Sequence, residues 1–306
     1  MKRRVTVIAA GLLIVAGVAS GILLRAVDRV RTRATLQDIL YVPSPKILKR
    51  ASLGYDGLLA DIYWTRAVQY YGANHYRGVG EYHLLWPLLD ITTQLDPHLI
   101  PAYLFGSTFL AAPPPYGAGL PHRAIQLVEY GIKNNPDDWH LYYDLGYLYY
   151  DLKDYRDAAD AFERGSKVPH AHPFLKILAA QSAGHGGEPR TAQLLWRSVL
   201  ETTHDKYIRP NAIWHLRALQ ADQDSKDLEQ LLNDYRQRTG HFPASFEELV
   251  RVGWLRSLPV DPRGEEYQMD SAGHVFIADP ENFPFVTSAL PPGYVPSSFP
   301  RIPPTD

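Results

Sequence analysis

Cysteine is absent from the chain. That excludes disulfides, thiolate metal sites, cysteine nucleophiles and an anchor built on a lipid-modified cysteine. Methionine is scarce at 2 residues, and a formal net charge of −2 leaves no nucleic-acid signature on the molecule as a whole. The sequence also lacks the short motifs that carry chemistry. It has no His-Glu-x-x-His, no Gly-x-Ser-x-Gly, no P-loop and no Gly-x-Gly-x-x-Gly. His170 and His172 have a spacing that can hold a metal, but no third ligand accompanies them. What remains is 306 residues, 45% hydrophobic and 21% charged, enough to bury a core, with 20 tyrosines, 6 tryptophans and 25 unevenly placed prolines.

Val5 to Leu24 carries no charge. At about 1.5 Å per residue such a stretch spans about 30 Å, the hydrocarbon thickness of a bilayer. Lys2, Arg3 and Arg4 precede it, and Arg25, Arg29, Arg31 and Arg33 follow. A cleaved signal peptide with Val18 and Ser20 before the cut is the rival reading. The apolar run through Gly21-Ile22-Leu23-Leu24 favours a retained anchor. Cations at both ends leave orientation undecided by charge alone. The short tail 1–4 favours an inner (cytoplasmic) membrane location, with the bulk of the chain in the periplasm or outside.

The middle of the chain repeats. Ala124, Ala158 and Ala192 recur at 34 positions, as do Val128, Phe162 and Trp196; Gly131 pairs with Gly165 and Gly146 with Ala180 in the same way. Around the best copy the chain reads Leu145-Gly146, Tyr149, Ala158, Phe162, Gly165 and Pro169. A glycine facing an alanine lets two helices approach, and the phenylalanine fills the space between them. These residues resemble the tetratricopeptide repeat (TPR), whose pattern is Trp-x2-Leu-Gly-x2-Tyr, then Ala-x3-Phe, Ala and Pro. Three copies are recognisable, at 99–136, 139–170 and 173–204. Gly106 in the first is 40 positions from Gly146, so Ala111 to Gly117, with three consecutive prolines, reads as an insertion forming a projecting loop. Leu58 to Tyr71 and Glu81 to Leu95 read as an earlier pair, its second helix starting near Leu85 because of Pro87. Pro210 to Ala221 and Lys226 to Arg238 read as a capping pair.

Toward the C-terminus, Tyr235, Gly240, Phe242-Pro243, Leu249, Gly253-Trp254-Leu255, Pro259, Asp261-Pro262, Gly264 and Tyr267 resemble the C-terminal part of the major pseudopilins of type II secretion. The prepilin cleavage motif and the calcium loop of that family are missing, so no metal is implied. Ser245 and Glu248 have capping-box spacing, and Glu265–Asp270 with His274–Ile277 read as a hairpin. Residues 279–306 hold eight prolines and read as an extended tail.

The expected fold is mostly α: a TPR-type helical-hairpin solenoid after one N-terminal transmembrane helix, with a small α+β C-terminal module. The expected divisions are a tail 1–4, the membrane helix 5–24, a juxtamembrane linker 25–50, repeats 51–221, a capping helix and small module 222–278, and a Pro-rich tail 279–306. The TPR resemblance implies a non-enzymatic scaffold binding other proteins or extended peptides in the cell envelope, with no cofactor, metal or nucleic acid. The pseudopilin resemblance implies the alternative, an accessory part of a type IV pilus or type II secretion-like machine. By resemblance, the peptide-binding face falls on Tyr103 and Ser107 in the first copy, on His140, Tyr143, Tyr147 and Tyr150 in the second, and on Phe174, Ile177 and Gln181 in the third.

Overall fold

The computed structural model describes residues 44–78 and 80–295, with isolated positions 16 and 18–20. Apart from those four positions the apolar span 5–24, with most of the linker 25–50 and the last eleven residues, therefore lies outside the described residues. No helix among the described residues is long and apolar enough to cross a membrane. The chain divides into two compact units, 1–127 and 128–306.

In the first unit, α1 (Pro45–Ala51) falls inside the stretch expected to be a linker, and α2 (Asp56–Arg77), α3 (Leu85–Leu95) and α4 (Ile100–Ala111) follow it. Proline opens α1 and α4 within their first turns, where its missing N–H costs nothing. Pro87 likewise sits in the first turn of α3, which begins at Leu85 as expected. The core is made by Ala60, Tyr63 and Ala67 of α2, Leu85, Leu88 and Leu89 of α3, and Ala102, Tyr103 and Leu110 of α4. Thr92 and Thr93 are buried without loss because their hydroxyls donate to the carbonyls of Leu88 and Leu89 at 2.8 and 3.0 Å.

The Pro-rich insertion does not project. It folds back on its own unit, where Ala118 and Leu120 donate to the carbonyls of Phe109 and Leu110. Tyr71 and Tyr82 donate to the carbonyls of Tyr116 and Pro115 at 2.8 and 2.7 Å. The Tyr71 ring stacks on Phe109 at 3.8 Å. Three prolines remove amide donors, and the tyrosine hydroxyls satisfy the carbonyls that are left.

α5 (Pro121–Asn134) leads into the second unit, where α6 (Trp139–Asp151), α7 (Tyr155–Ser166), α8 (Phe174–His185), α9 (Pro189–Thr202) and α10 (Ile208–Thr239) pack each on the next. These are successive helical hairpins. A Cβ on Gly146 would stand 2.4 Å from the Phe162 ring, so only glycine lets α6 and α7 close on that ring. Ala158, Phe162, Ala192 and Trp196 are buried, as the repeat spacing requires.

Two expectations are corrected in the rest of this unit. The capping pair is one continuous 32-residue helix, α10. Asp222-Gln223-Asp224-Ser225 reads as a turn because such side chains compete for local backbone. Here they are occupied elsewhere: Gln220 and Gln223 reach Asp224 and Asp227 one turn on, and Ser225 donates to the Val275 carbonyl at 2.6 Å. The boundary drawn at 221 therefore falls inside a helix, which ends only at Gly240, in the left-handed conformation at φ 88.

The second correction is the tail. Residues 279–295 are built into the module that follows α10. That module comprises α11 (Phe246–Arg251) and an antiparallel pair, β1 (Gln268–Met269) and β2 (Val275–Phe276), with Gln268 opposite Phe276. Its core joins Leu232 and Tyr235 of α10 to Phe246, Leu249, Tyr267, Val275, Ile277, Phe283, Val286 and Ala289. The buried Asp222 carboxylate accepts the Thr287, Ser288 and Ala289 amides and both hydroxyls, at 2.7–3.1 Å. The capping box expected at Ser245 is not formed: the Ser245 hydroxyl caps nothing, and Glu248 accepts the amide of Ala244, one residue before the N-cap, at 2.7 Å.

Candidate binding face

On α6, Tyr143, Tyr147 and Tyr150 are spaced by four and three residues and therefore share a face. The spacing of the rings confirms it. Tyr143 and Tyr147 meet edge-on at 4.8 Å, and Tyr147 continues edge-on to Phe162 at 5.5 Å. All three tyrosines are half-buried and lean on the Ala158–Phe162–Ala179 core. Each thus packs its ring on the repeat and offers an edge to solvent. Burial, then the hydroxyl of Tyr143, pushes the Tyr147 phenol up to about 12, so it stays a neutral donor throughout the ordinary pH range.

The exposed positions flank this line. The His140 ring stacks on Trp139 at 3.7 Å and turns Nδ1 toward Asp138 at 2.8 Å. Asp138 is also the N-cap, accepting the His140 amide at 3.0 Å, so one carboxylate starts the helix and orients the imidazole. Phe174 opens α8 and is 41% exposed. Gln181, one further position of that helix, is half-buried.

Three predicted members leave the face. Tyr103 and Ser107 are 0% exposed, and Ile177 is 7% exposed within the core that α8 shares with Trp196 and Ala212. The cause in α4 is a one-residue error of register. Tyr103 donates to the Pro97 carbonyl at 3.0 Å just as Tyr142 donates to that of Pro136 at 3.2 Å. The pairing is therefore Tyr103 with Tyr142, at 39 positions rather than 40. One residue is about 100° of helix, which carries Tyr103 and Ser107 into the core. The positions equivalent to the α6 tyrosines become Leu104, Thr108 and Ala111.

The structure adds residues that spacing alone missed. Trp139 is 6.2 Å from His172, whose ring stands 6.5 Å from Phe174. His172 Nδ1 accepts the Phe174 amide, so its role is to start α8. At the other end of the face, Tyr155 and His185 close around Tyr150 at 5.2 and 6.0 Å. Trp139 and Tyr155 are first residues of their helices and His185 a last one, outside the positions that the repeat pattern marks. Asp151, Asp154, Asp157 and Asp160 are all exposed, a solvated edge. Among the described residues no group of three or more His, Cys, Asp or Glu is placed to hold a metal ion. The arrangement is suited to contact rather than bond making: ring faces for apolar and proline side chains, with phenol and imidazole edges for backbone carbonyls and amides.

No family model matches the chain, and no curated protein matches it. Among solved structures the chain is similar to MamA at 15% identity, over 64% of this chain and 98% of that one, with a TM-score of 0.38. It is similar to YrrB, described as a TPR protein with an unusual peptide-binding site, at 14% identity over 47% and 71%, with a TM-score of 0.33. PilF of Pseudomonas aeruginosa is similar at 14% identity over 54% and 70%, with a TM-score of 0.35. The repetition in this chain lies in its own helix pairing from α6 to α9 and in the 34-residue spacing of Ala124, Ala158 and Ala192.

Proposed function

We propose that this chain is a non-enzymatic adaptor, tethered to the membrane by residues 5–24, which captures extended peptide segments of envelope proteins on the α6–α8 face. The observation that carries the reading is the run of partly exposed rings Trp139, His140, Tyr143, Tyr147, Tyr150 and Phe174, braced from beneath by Phe162. Rigid rings with polar edges are the side chains from which binding hot spots are made, and bracing lowers the entropy lost when a partner docks. The tether rests on the uncharged stretch Val5 to Leu24 with its flanking cations, and its proposed location is the inner membrane with the bulk of the chain outside. A role beside a pilus or secretion machine is a second reading. It rests on the pseudopilin-like residues 235–267, which act in this fold as packing residues: Tyr235 meets Trp254 edge-on at 5.3 Å, and Asp261 closes a turn by accepting the amides of Arg263 and Glu265.

The test compares His140→Ala with Phe174→Ala, two exposed positions whose loss leaves the core intact. Capture of partners from detergent-solubilised membranes is expected to weaken by about 2 kcal/mol per ring, roughly 30-fold, at an unchanged melting temperature. Undiminished capture by the double variant refutes the face. Tyr147→Ala is the wrong probe, because its ring packs on Phe162 and truncation lowers stability as well.

A further inference from the structure

We infer that the α1–α2 end of the first unit rests on the bilayer surface, a second contact besides the proposed tether and one that depends on it. Helix α2 turns Ala60, Tyr63, Ala67 and Asn74 inward. Its opposite face would ordinarily be polar. Toward its N-terminus it instead carries Leu58 and Ile62, 59% and 40% exposed and one turn apart. The turn before the helix adds Leu53 and Tyr55, 87% and 69% exposed, and α1 adds Ile47.

The turn that presents them is built. Leu53 is held in the left-handed region at φ 53, uncommon for a residue with a branched side chain, and Gly54 follows at φ 94. The buried Ser52 hydroxyl fixes it, lying 2.9 Å from the Lys49 carbonyl and bonded to the Asp56 carboxylate. A constrained turn whose product is a leucine pointing at water needs an occupant for that leucine.

Charge and chain connectivity name the occupant. Lys46, Lys49 and Arg50 lie at positions of α1 that share a face, and no acidic residue occurs from 44 to 55. Asp56 is turned into the Ser52 bond, and Asp61 stands at the edge of the stripe, balanced by Arg66 one turn beyond Ile62. Exposed aliphatics, an interfacial tyrosine and adjacent lysine and arginine make the composition that lies in a headgroup layer of anionic lipid. The tip follows the uncharged stretch 5–24 by only ~20 residues, at most about 70 Å of extended chain. A contact too weak to recruit a free protein is populated when a tether holds it this near.

The absence of native cysteine makes the test direct. Single cysteines replacing Leu53, Leu58 or, as a control, the exposed Arg190 carry an environment-sensitive fluorophore on the full chain. The chain is reconstituted in phosphatidylcholine vesicles with or without phosphatidylglycerol and with brominated acyl chains. Labels at positions 53 and 58 are expected to be quenched several-fold more than at 190, more strongly with phosphatidylglycerol, and the triple change K46E, K49E and R50E should remove the difference while flotation with vesicles persists. Failure to float refutes the tether and this contact together. Flotation with unquenched labels at 53 and 58, or quenching that appears only on adding more protein, overturns the membrane contact alone and assigns the patch to a protein neighbour or a second copy.

Discussion

Removing the Asp222 carboxylate should release the C-terminal segment from α10. The group is 8% exposed and accepts the amides of Thr287, Ser288 and Ala289 with the hydroxyls of Thr287 and Ser288. Hydrogen bonds to a charged acceptor contribute about 1.5–3 kcal/mol each, though not additively, and a buried donor left unpaired costs about 1–3 kcal/mol. Thr287 is exposed, so water can replace part of what is lost, and a total of about 3 kcal/mol is expected for the group. An opening free energy lower by about 3 kcal/mol corresponds to a roughly 100-fold faster hydrogen exchange at residues 287–289. Asp222→Asn, which keeps one acceptor oxygen, should fall about midway. Because the released segment carries Phe283, Phe285 and Val286, Asp222→Ala should also bind a hydrophobic dye before the repeats melt. Unchanged exchange at these amides in Asp222→Ala would refute the clamp.

Two further outcomes follow from the packing. Ala158 is 0% exposed in the α6–α7 seam that already excludes a Cβ at Gly146; Ala158→Leu should destabilise the fold by about 1–3 kcal/mol, read as a lower melting temperature. The pH dependence of stability should have two limits of opposite sign. His215 lies between Trp196 and Phe285, at centroid distances of 4.1 and 3.7 Å, with Nε2 buried and unbonded. Burial, with His185 adding to it, brings it down to about 3. It is neutral when folded and titrates near 6.5 when unfolded, so stability falls below about pH 6.5, by about 2 kcal/mol at pH 5, and His215→Phe should flatten that limb. His274 is displaced the other way. Desolvation lowers it, but the Leu290 carbonyl and Glu229 together outweigh that and raise it. Its contribution is whole below about pH 6.5 and fades as pH rises through its folded value, which His274→Gln should abolish in melting curves across that range.

The hairpins were legible because their seams leave little choice of side chain. Gly146, Ala158 and Phe162 form one packing unit, and its spacing survives in the chain as a 34-residue period. The α4 register was not legible, because Gly106 sits where the period nearly allows and the offset shows in the Tyr103–Pro97 hydrogen bond. The docking of the C-terminal segment is hidden in the sequence for a different reason. Proline content predicts an extended backbone, and the backbone there lacks regular structure over most of its length. What fixes it is a carboxylate 65 positions away, whose neighbours Asp224 and Ser225 mimic a turn in the sequence. Local composition reports conformation, whereas docking is decided by partners that composition does not name.

The same distinction governs the binding face. Resemblance to a repeat marks helix positions, and it placed His140, Tyr143, Tyr147, Tyr150 and Phe174 on a surface where the structure also has them at least partly open to solvent. It could not mark Trp139, Tyr155, His172 or His185, because helix ends have no fixed place in the pattern, yet these rings bound the face on both sides. The central tyrosines serve both stability and contact, while His140 and Phe174 at the margins are exposed. Recognition by this face should therefore be separable from folding only at its margins: His140 and Phe174 can be removed at little structural cost, and each step toward Tyr147 should lose affinity and stability together.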